Sequence, residues 1–368
     1  MMTRFARVPG AVLDETGLQH VGNPHVEQRA LAAGTAVAPL GDRRVLAVSG
    51  DDRLSWLDSL ASQALTHLAP GESTELLVLD PKGHIEHAAS VIDDGETTWL
   101  IVDAGDAEGL LGWLLRMRFR LRVAPRDASD EFAVVGGTRA AVEKLDVAAP
   151  GGVPLVWHDP WPGIGVGGWA YSVVDPHPAA VRDWAEALVS RSEEERIADA
   201  ASRGELALAG LVAADALRVA AWRPRWSAEV DEKALPHELD WLRTAVHLEK
   251  GCYRGQETVA KVHNLGHPPR RLVALDLDGS EGALPAPGAA VRLGDDVVGA
   301  VTSAARHHED GPIALALVRR TTPVDATLTV DADDARVAAA QEVIVPPEAG
   351  ATASVPRLTR LSRRPQVQ

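Results

Sequence analysis

The sequence predicts an α+β protein in which two mixed α/β modules precede a small C-terminal β-barrel. Three observations predict it. Between residues 44 and 123, short aliphatic β-like runs alternate with segments whose apolar residues recur at helical spacing. A second stretch of the same kind follows Pro150-Gly151-Gly152. After Pro268-Pro269, β-like runs alternate with Gly, Pro and Asp turns and no helical period remains.

Taken in order, residues 1–34 show no clear period and read as a loosely packed N-terminal lead-in. Residues 35–267 carry the two α/β modules, dividing near 150. Residues 268–345 form the barrel, and 346–368 a Pro-rich basic tail expected to be disordered. In the first module, Val45-Leu46-Ala47-Val48 is β-like. Gly50-Asp51-Asp52 then supplies a turn and an N-cap to a helix displaying Leu54, Leu57, Leu60 and Ala61. Leu76-Leu77-Val78-Leu79 is a buried strand, and Pro81-Lys82-Gly83 turns it into a partner over 85–92. Asp93-Asp94-Gly95 turns again into 98–102. Residues 110–117 are helical, and 119–123 alternate Arg with apolar residues as a half-exposed strand does. This order places helices on one face of a mostly antiparallel sheet. The second module predicts strands at 153–157 and 171–174 and helices over 179–188, 204–219 and 236–248, the last with Pro236 in its first turn. The barrel strands are 272–277, 289–293, 297–302, 313–318 and 326–330.

Composition narrows the function. A chain with 46% hydrophobic residues is globular rather than disordered. One cysteine forbids a disulfide framework, a zinc ribbon or a self-contained four-thiolate cluster, so no permanently bound metal is expected. A net charge of −15 opposes direct nucleic-acid binding. The start lacks a secretory apolar run, and the longest apolar stretch, 206–222, is broken by Asp215 and Arg218; neither membrane insertion nor export is expected, and the expected location is the cytoplasm. Of 37 basic residues only five are Lys (Lys82, Lys144, Lys233, Lys250 and Lys261), so a lysine here is informative.

Two of those lysines bracket the segment that carries chemistry, Lys250-Gly251-Cys252-Tyr253-Arg254-Gly255-Gln256-Glu257-Thr258-Val259-Ala260-Lys261. Two glycines four apart make a tight bend around Cys252 and Tyr253. A helix starting at Gln256 would set Cys252 just before its N-terminus, with Lys250 and Arg254 beside it, and both influences favour thiolate. Residues 249–271 hold five Lys/Arg against two Glu, a local +3 suited to an anionic ligand or an acidic partner. The residues alone leave a second reading open: a lone cytosolic Cys is often a small buried hydrophobe, and the glycines then only make a turn.

The string Lys-Gly-Cys-Tyr-x-Gly-Gln-Glu at 250–257, with the basic Lys261 four positions on, resembles the signature of the YgfZ-type folate-binding proteins, paralogues of the glycine-cleavage T-protein (aminomethyltransferase) family. Val48-Ser49-Gly50-Asp51-Asp52 with Trp56-Leu57, Leu79-Asp80-Pro81-Lys82-Gly83-His84, and Val301-Thr302-Ser303 with Ile313-Ala314-Leu315-Ala316 extend the similarity over about 35 to 340. The resemblance implies three modules of the T-protein type, two of them enclosing a folate cavity, with tetrahydrofolate as cofactor. It implies an accessory role in assembling or repairing iron–sulfur enzymes, including those that modify tRNA, with those enzymes or assembly factors as partners. Cys252 would be the functional thiol, and Lys250, Tyr253, Gln256, Glu257 and Lys261 would shape and charge its surroundings.

Two departures from that pattern bear on the cofactor. Gly83-His84-Ile85-Glu86-His87 stands where the T-protein carries Gly-Gly-x-x-Asp-Asp, with His87 in place of the catalytic Asp, so aminomethyl transfer is not expected. Arg218-Val219-Ala220-Ala221-Trp222 stands where the family has Arg-x-Glu-x-Gly, and Ala220 removes a carboxylate that would accept from a pterin. The expected cofactor-binding residues are Arg218, Trp222, Glu86 and His87. The alternative function is a folate-dependent one-carbon transferase or demethylase, with Glu86 as its acid.

Overall fold

The computed structural model describes residues 4–280, 282–332 and 335–353. The N-terminal stretch is not a lead-in. Hairpin strands β1 (Ala11–Asp14) and β2 (Gly17–Val21) precede helix α1 (Pro24–Ala32), which Asn23 caps by accepting from the His25 N–H, and strand β3 (Ala36–Pro39) follows. Phe5, Val8, Leu18 and Leu31 are buried, so these residues are part of the fold.

The first sheet comes from one continuous segment: β4 (Arg43–Ser49), helix α2 (Arg53–Leu60), β5 (Ser73–Leu79), β6 (Ile85–Asp93), β7 (Thr97–Asp103), helix α3 (Ala107–Met117) and β8 (Ala124–Asp127). Its order is β5-β6-β7-β4-β8, antiparallel throughout. Leu46, Val48, Val78, Ala89 and Val91 on one face pack against Leu57 of α2 and Leu110, Trp113 and Leu114 of α3. The half-exposed strand expected over 119–123 is a turn instead, with Phe119 at φ 45°, and the edge strand begins at Ala124.

The second sheet is assembled from distant pieces. They are β9 (Phe132–Gly137), the short helix α4 (Arg139–Val142), β10 (Val156–His158), β11 (Ala185–Ser190), α5 (Arg191–Ser202), β12 (Ala207–Leu208) and α6 (Leu211–Ala220). The order β10-β11-β9-β3-β12 brings in β3 from before the first module. The division near 150 is therefore corrected: the second module starts at β9 and also recruits residues 36–39. Residues 179–188, expected helical, hold a 3-10 turn and the centre of β11, which pairs with both β9 and β10. No strand forms at 171–174; the Tyr171 N–H donates to Asp240 at 2.5 Å.

Residues 234–246 are buried without exception. The helix expected over 236–248 breaks at Asp240, whose φ is 55°. It becomes a 3-10 turn at Pro236–Leu239 and one turn at Leu242–Ala245, which we label α8 after α7 (Trp226–Glu229). Helix α9 (Gln256–Leu265) leads to a closed barrel of β13 (Arg270–Leu277), β14 (Ala290–Leu293), β15 (Asp296–His307), β16 (Gly311–Arg319), β17 (Leu328–Ala332) and β18 (Ala335–Val343). A core including Leu77, Trp161, Trp241, Tyr253, Leu272 and Ile344 joins the first sheet, the buried segment and the barrel. The tail expected from 346 is packed at its start: Ala349 is buried, and the Thr352 N–H donates to the His263 carbonyl. Residues 354–368 lie outside the described residues. Among the described residues no helix is long and apolar enough to cross a membrane.

Candidate functional site

The structure brings together the two sequence strings singled out above. The turn at 80–84 is tied by Asp80, which accepts from the N–H groups of Lys82 (2.7 Å) and His84 (2.8 Å) and meets His84 Nδ1 at 3.0 Å. Gly255, the residue before α9, lies directly on this turn. Its φ is +83°, and a Cβ there would fall 2.6 Å from the Asp80 carbonyl oxygen and 3.2 Å from Gly83 Cα. Only glycine meets both conditions.

Lys250 fixes the other end of the loop. Its ammonium donates to the carbonyls of Asp58, Ala61 (2.9 Å) and Gln63 (2.8 Å), with the Asp58 carboxylate at 3.4 Å. It thus closes the C-terminal end of α2, where backbone carbonyls lack helical partners. Burial pulls its pKa below the usual lysine value, against the pull of Asp58. Tyr253 is buried beneath that ammonium, 5.4 Å from ring centroid to Nζ. Its hydroxyl has no protein partner, and burial pushes its pKa well up. Arg254 pairs with Glu86 at 2.6 Å, and Gln256 Nε2 crosses the loop to the carbonyls of Lys250 (3.2 Å) and Gly251 (3.4 Å). Cys252 stands exposed at the apex of this braced arch, and Glu257 and Lys261 are exposed on α9.

Two expectations are corrected here. Lys250 and Arg254 have their own partners and are not cations held for the thiol. The local +3 does not become a basic surface either. Arg270 pairs with Asp231 and Glu238, and Arg271 is fully buried in the barrel, which leaves Lys261.

A second feature is a chamber of about 90 Å³ where the two sheets meet α6 and the buried segment. Buried ion pairs line it: Arg223 with Glu75 (2.6 Å) and Asp159 (3.2 Å), Arg182 with Asp159 (3.0 Å), and Arg43 with Asp103. A wider cleft of about 490 Å³ shares Asp42, Asp103, Asp215, Arg218 and Arg225 with it and reaches the barrel at Ser303.

Of the expected cofactor residues, only Arg218 lines the chamber, and its nitrogens are taken by Asp215 (2.6 Å), Glu229 (3.0 Å), the Arg223 carbonyl and Ser303. Trp222, at φ 56°, lies edge-on to His177, and both Trp222 and Ala220 line a separate pocket near the barrel. Glu86 holds Arg254. His87 points to the opposite face of the sheet, towards α3, with Nδ1 2.5 Å from Asp106; β6 meets the chamber at Ala88, Ala89 and Ser90. Arg223, Asp159, Glu75 and Trp241 went unread in the sequence. The run Trp222-Arg223-Pro224-Arg225-Trp226 was the available signal, since both its arginines turn inward.

The chamber residues do not fit a reduced pterin. The chamber by itself is well under the roughly 300–1,000 Å³ usual for small-molecule sites, so a reduced pterin would have to extend into the adjoining cleft. Position 88 carries no carboxylate, and the carboxylates present are engaged by arginines. Among the described residues no group of three His, Cys, Asp or Glu is placed to hold a metal ion.

Residues 270–347 match the glycine cleavage T-protein C-terminal barrel domain. The whole chain is similar to the glycine cleavage system aminomethyltransferase T from Bartonella henselae, with a TM-score of 0.70 over 92% of this chain and 94% of that one, at 17% identity. This chain has the T-protein fold. It is also 27% identical over 313 residues to an aminomethyltransferase from Rippkaea orientalis, covering 80% of this chain and 81% of that protein. In T-protein-fold terms, the Cys252 arch lies between the last α/β element and the barrel, and the ion-paired chamber lies between the two sheets.

Proposed function

We propose that this chain is a YgfZ-type accessory protein of the cytoplasm that supports iron–sulfur cluster assembly or repair through Cys252. The observation that carries the reading is the braced, exposed thiol. Lys250, Tyr253, Arg254, Gly255 and Gln256 are all spent on holding the arch, and the side chain left facing solvent is Cys252. One thiolate completes a cluster's coordination only together with ligands from elsewhere. Cys252 would therefore lose its proton to solvent as its sulfur bonds to an iron of a cluster carried by a partner, displacing a water or small-thiol ligand from that iron. The clients are iron–sulfur enzymes or their assembly factors, tRNA-modifying enzymes among them. Tetrahydrofolate, implied by the resemblance, has no step in this mechanism.

Complementation tests it. In a strain lacking the gene, the wild-type chain restores iron–sulfur enzyme activity, whereas Cys252→Ala, equally folded by circular dichroism, does not. Full restoration by Cys252→Ala refutes the role. The alternative, a folate-dependent one-carbon transferase or demethylase, draws on the name of the Rippkaea orientalis relative. Ala88 and Ala220 weigh against it. Tetrahydrofolate turnover by purified protein, lost in Glu86→Gln, would replace the accessory reading.

A further inference from the structure

The central chamber has unmet hydrogen-bonding groups of a particular kind. Arg223 is 7% exposed and sits in a cage of tryptophans, 5.2 Å from the Trp161 ring centroid and 5.8 Å from that of Trp241. Its Nε and Nη2 are bound by Asp159 and Glu75, but Nη1 has no partner. Trp241 Nε1, on a side chain 3% exposed, has none either. Arg43 Nε is a third unpartnered donor on the same chamber, and Asp42 Oδ1 its unpartnered acceptor.

Buried donors of this kind are paired in folded proteins, by protein, water or ligand. The charges of the lining nearly cancel, five arginines against six carboxylates, so an added anion would gain no net attraction. The unmet groups instead ask for more acceptors than donors: a carbonyl towards Arg223 and Trp241, and one N–H towards Asp42. Aromatic walls add a preference for a flat molecule. We propose that this chamber binds a compact planar lactam of single-ring size and excludes tetrahydrofolate. The proposal is independent of the role of Cys252.

Isothermal titration with uracil, with 2-pyridone and with tetrahydrofolate decides it. The expected result is binding of at least one single-ring lactam and no tetrahydrofolate heat. Trp241→Phe keeps the ring wall, removes one N–H, and should weaken the lactam about tenfold. Asp42→Asn, at the mouth, provides a second variant should Trp241→Phe fold poorly; it replaces the acceptor and should weaken binding by a similar factor. Tetrahydrofolate binding that competes with the lactam, binding unchanged in both variants, or no binding of either lactam overturns the proposal. The last result would mean that ordered water alone satisfies these groups.

Discussion

Lys250→Met removes the fastening of the arch while keeping a chain of similar length. In the native protein one ammonium serves three backbone carbonyls at the end of α2 and faces the Asp58 carboxylate. Hydrogen bonds to a charged group contribute about 1.5–3 kcal/mol each in net terms. The full sum is not available, because the same burial pulls the lysine pKa down and so costs part of the gain. Methionine also retains the apolar contact over Tyr253. The expected net loss is about 2 kcal/mol, with two or three carbonyls left short of donors. Urea unfolding gives that figure. Amide hydrogen exchange locates it: residues 58–63 and 248–254 should lose protection while the barrel keeps it, and Cys252 should react faster with a thiol reagent such as DTNB. A loss under about 0.5 kcal/mol with unchanged exchange in both segments would refute the anchoring role.

Gly255→Ala forces a Cβ against the Asp80 carbonyl at φ +83° and should cost roughly 2–4 kcal/mol by urea unfolding. Gly251→Ala, with nothing within 4 Å of its Cβ, should stay within about 0.5 kcal/mol; equal effects would remove the case for contact between the two strings. His237 is fully buried, with Nε2 3.0 Å from the Val259 carbonyl, Tyr171 stacked on it and His263 nearby; chiefly through burial its pKa is pushed down to about 4. The unfolded chain takes up that proton near pH 6.5 and the folded chain does not, so the stability it contributes is present above 6.5 and lost as pH falls towards 4. Asp240, raised by burial to about 6, acts in the opposite sense: its share is present at low pH and lost as pH rises through 6. The wild type's own slope therefore blends the two. His237→Gln should remove up to about 3 kcal/mol of the acid-side loss between pH 7 and 4; an identical pH profile in the variant would contradict the buried neutral imidazole.

How much of this was legible in the sequence depended on whether the deciding interactions were local. The strand at 45–48, the helix after Gly50 and the 80–84 turn were legible because aliphatic runs and Gly or Asp turns signal themselves. Residues 185–190 were misread because Trp184-Ala185-Glu186-Ala187-Leu188 favours helix, whereas pairing on both sides, with β9 and β10, makes it a strand. The sixth barrel strand, Ala335–Val343, went unread because its alanines, depleted in strands generally, blur the alternation. Helix α5 had a readable start, Ser190 accepting from the Glu193 N–H, with Glu three residues after the cap. In the candidate site, the tight bend at Gly255 and its place before a helix at Gln256 were legible because they lie in one contiguous string. The partners of Lys250 and Arg254 were not, since Asp58, Ala61, Gln63 and Glu86 are more than 160 residues away in sequence.

That separation bears on what the arch is for. A thiol serving many surfaces by adaptation would sit on a loose loop, whose conformational freedom is lost at each encounter. Here that ordering is built into the fold. The lysine closes a helix end in the first module, the arginine reaches the first sheet at Glu86, and the glycine rests against a turn whose own conformation Asp80 fixes. A fixed thiol suits a ligand-exchange step in which sulfur must meet a metal centre at one distance and angle, and it gains little for a cysteine that merely fills space. The same bracing separates the two features of the molecule. Gly255→Ala and Lys250→Met should alter Cys252 reactivity without changing ligand binding in the chamber, because none of the arch residues lines it. A change in chamber affinity in either variant would show that the two sites are coupled through the central core they both border.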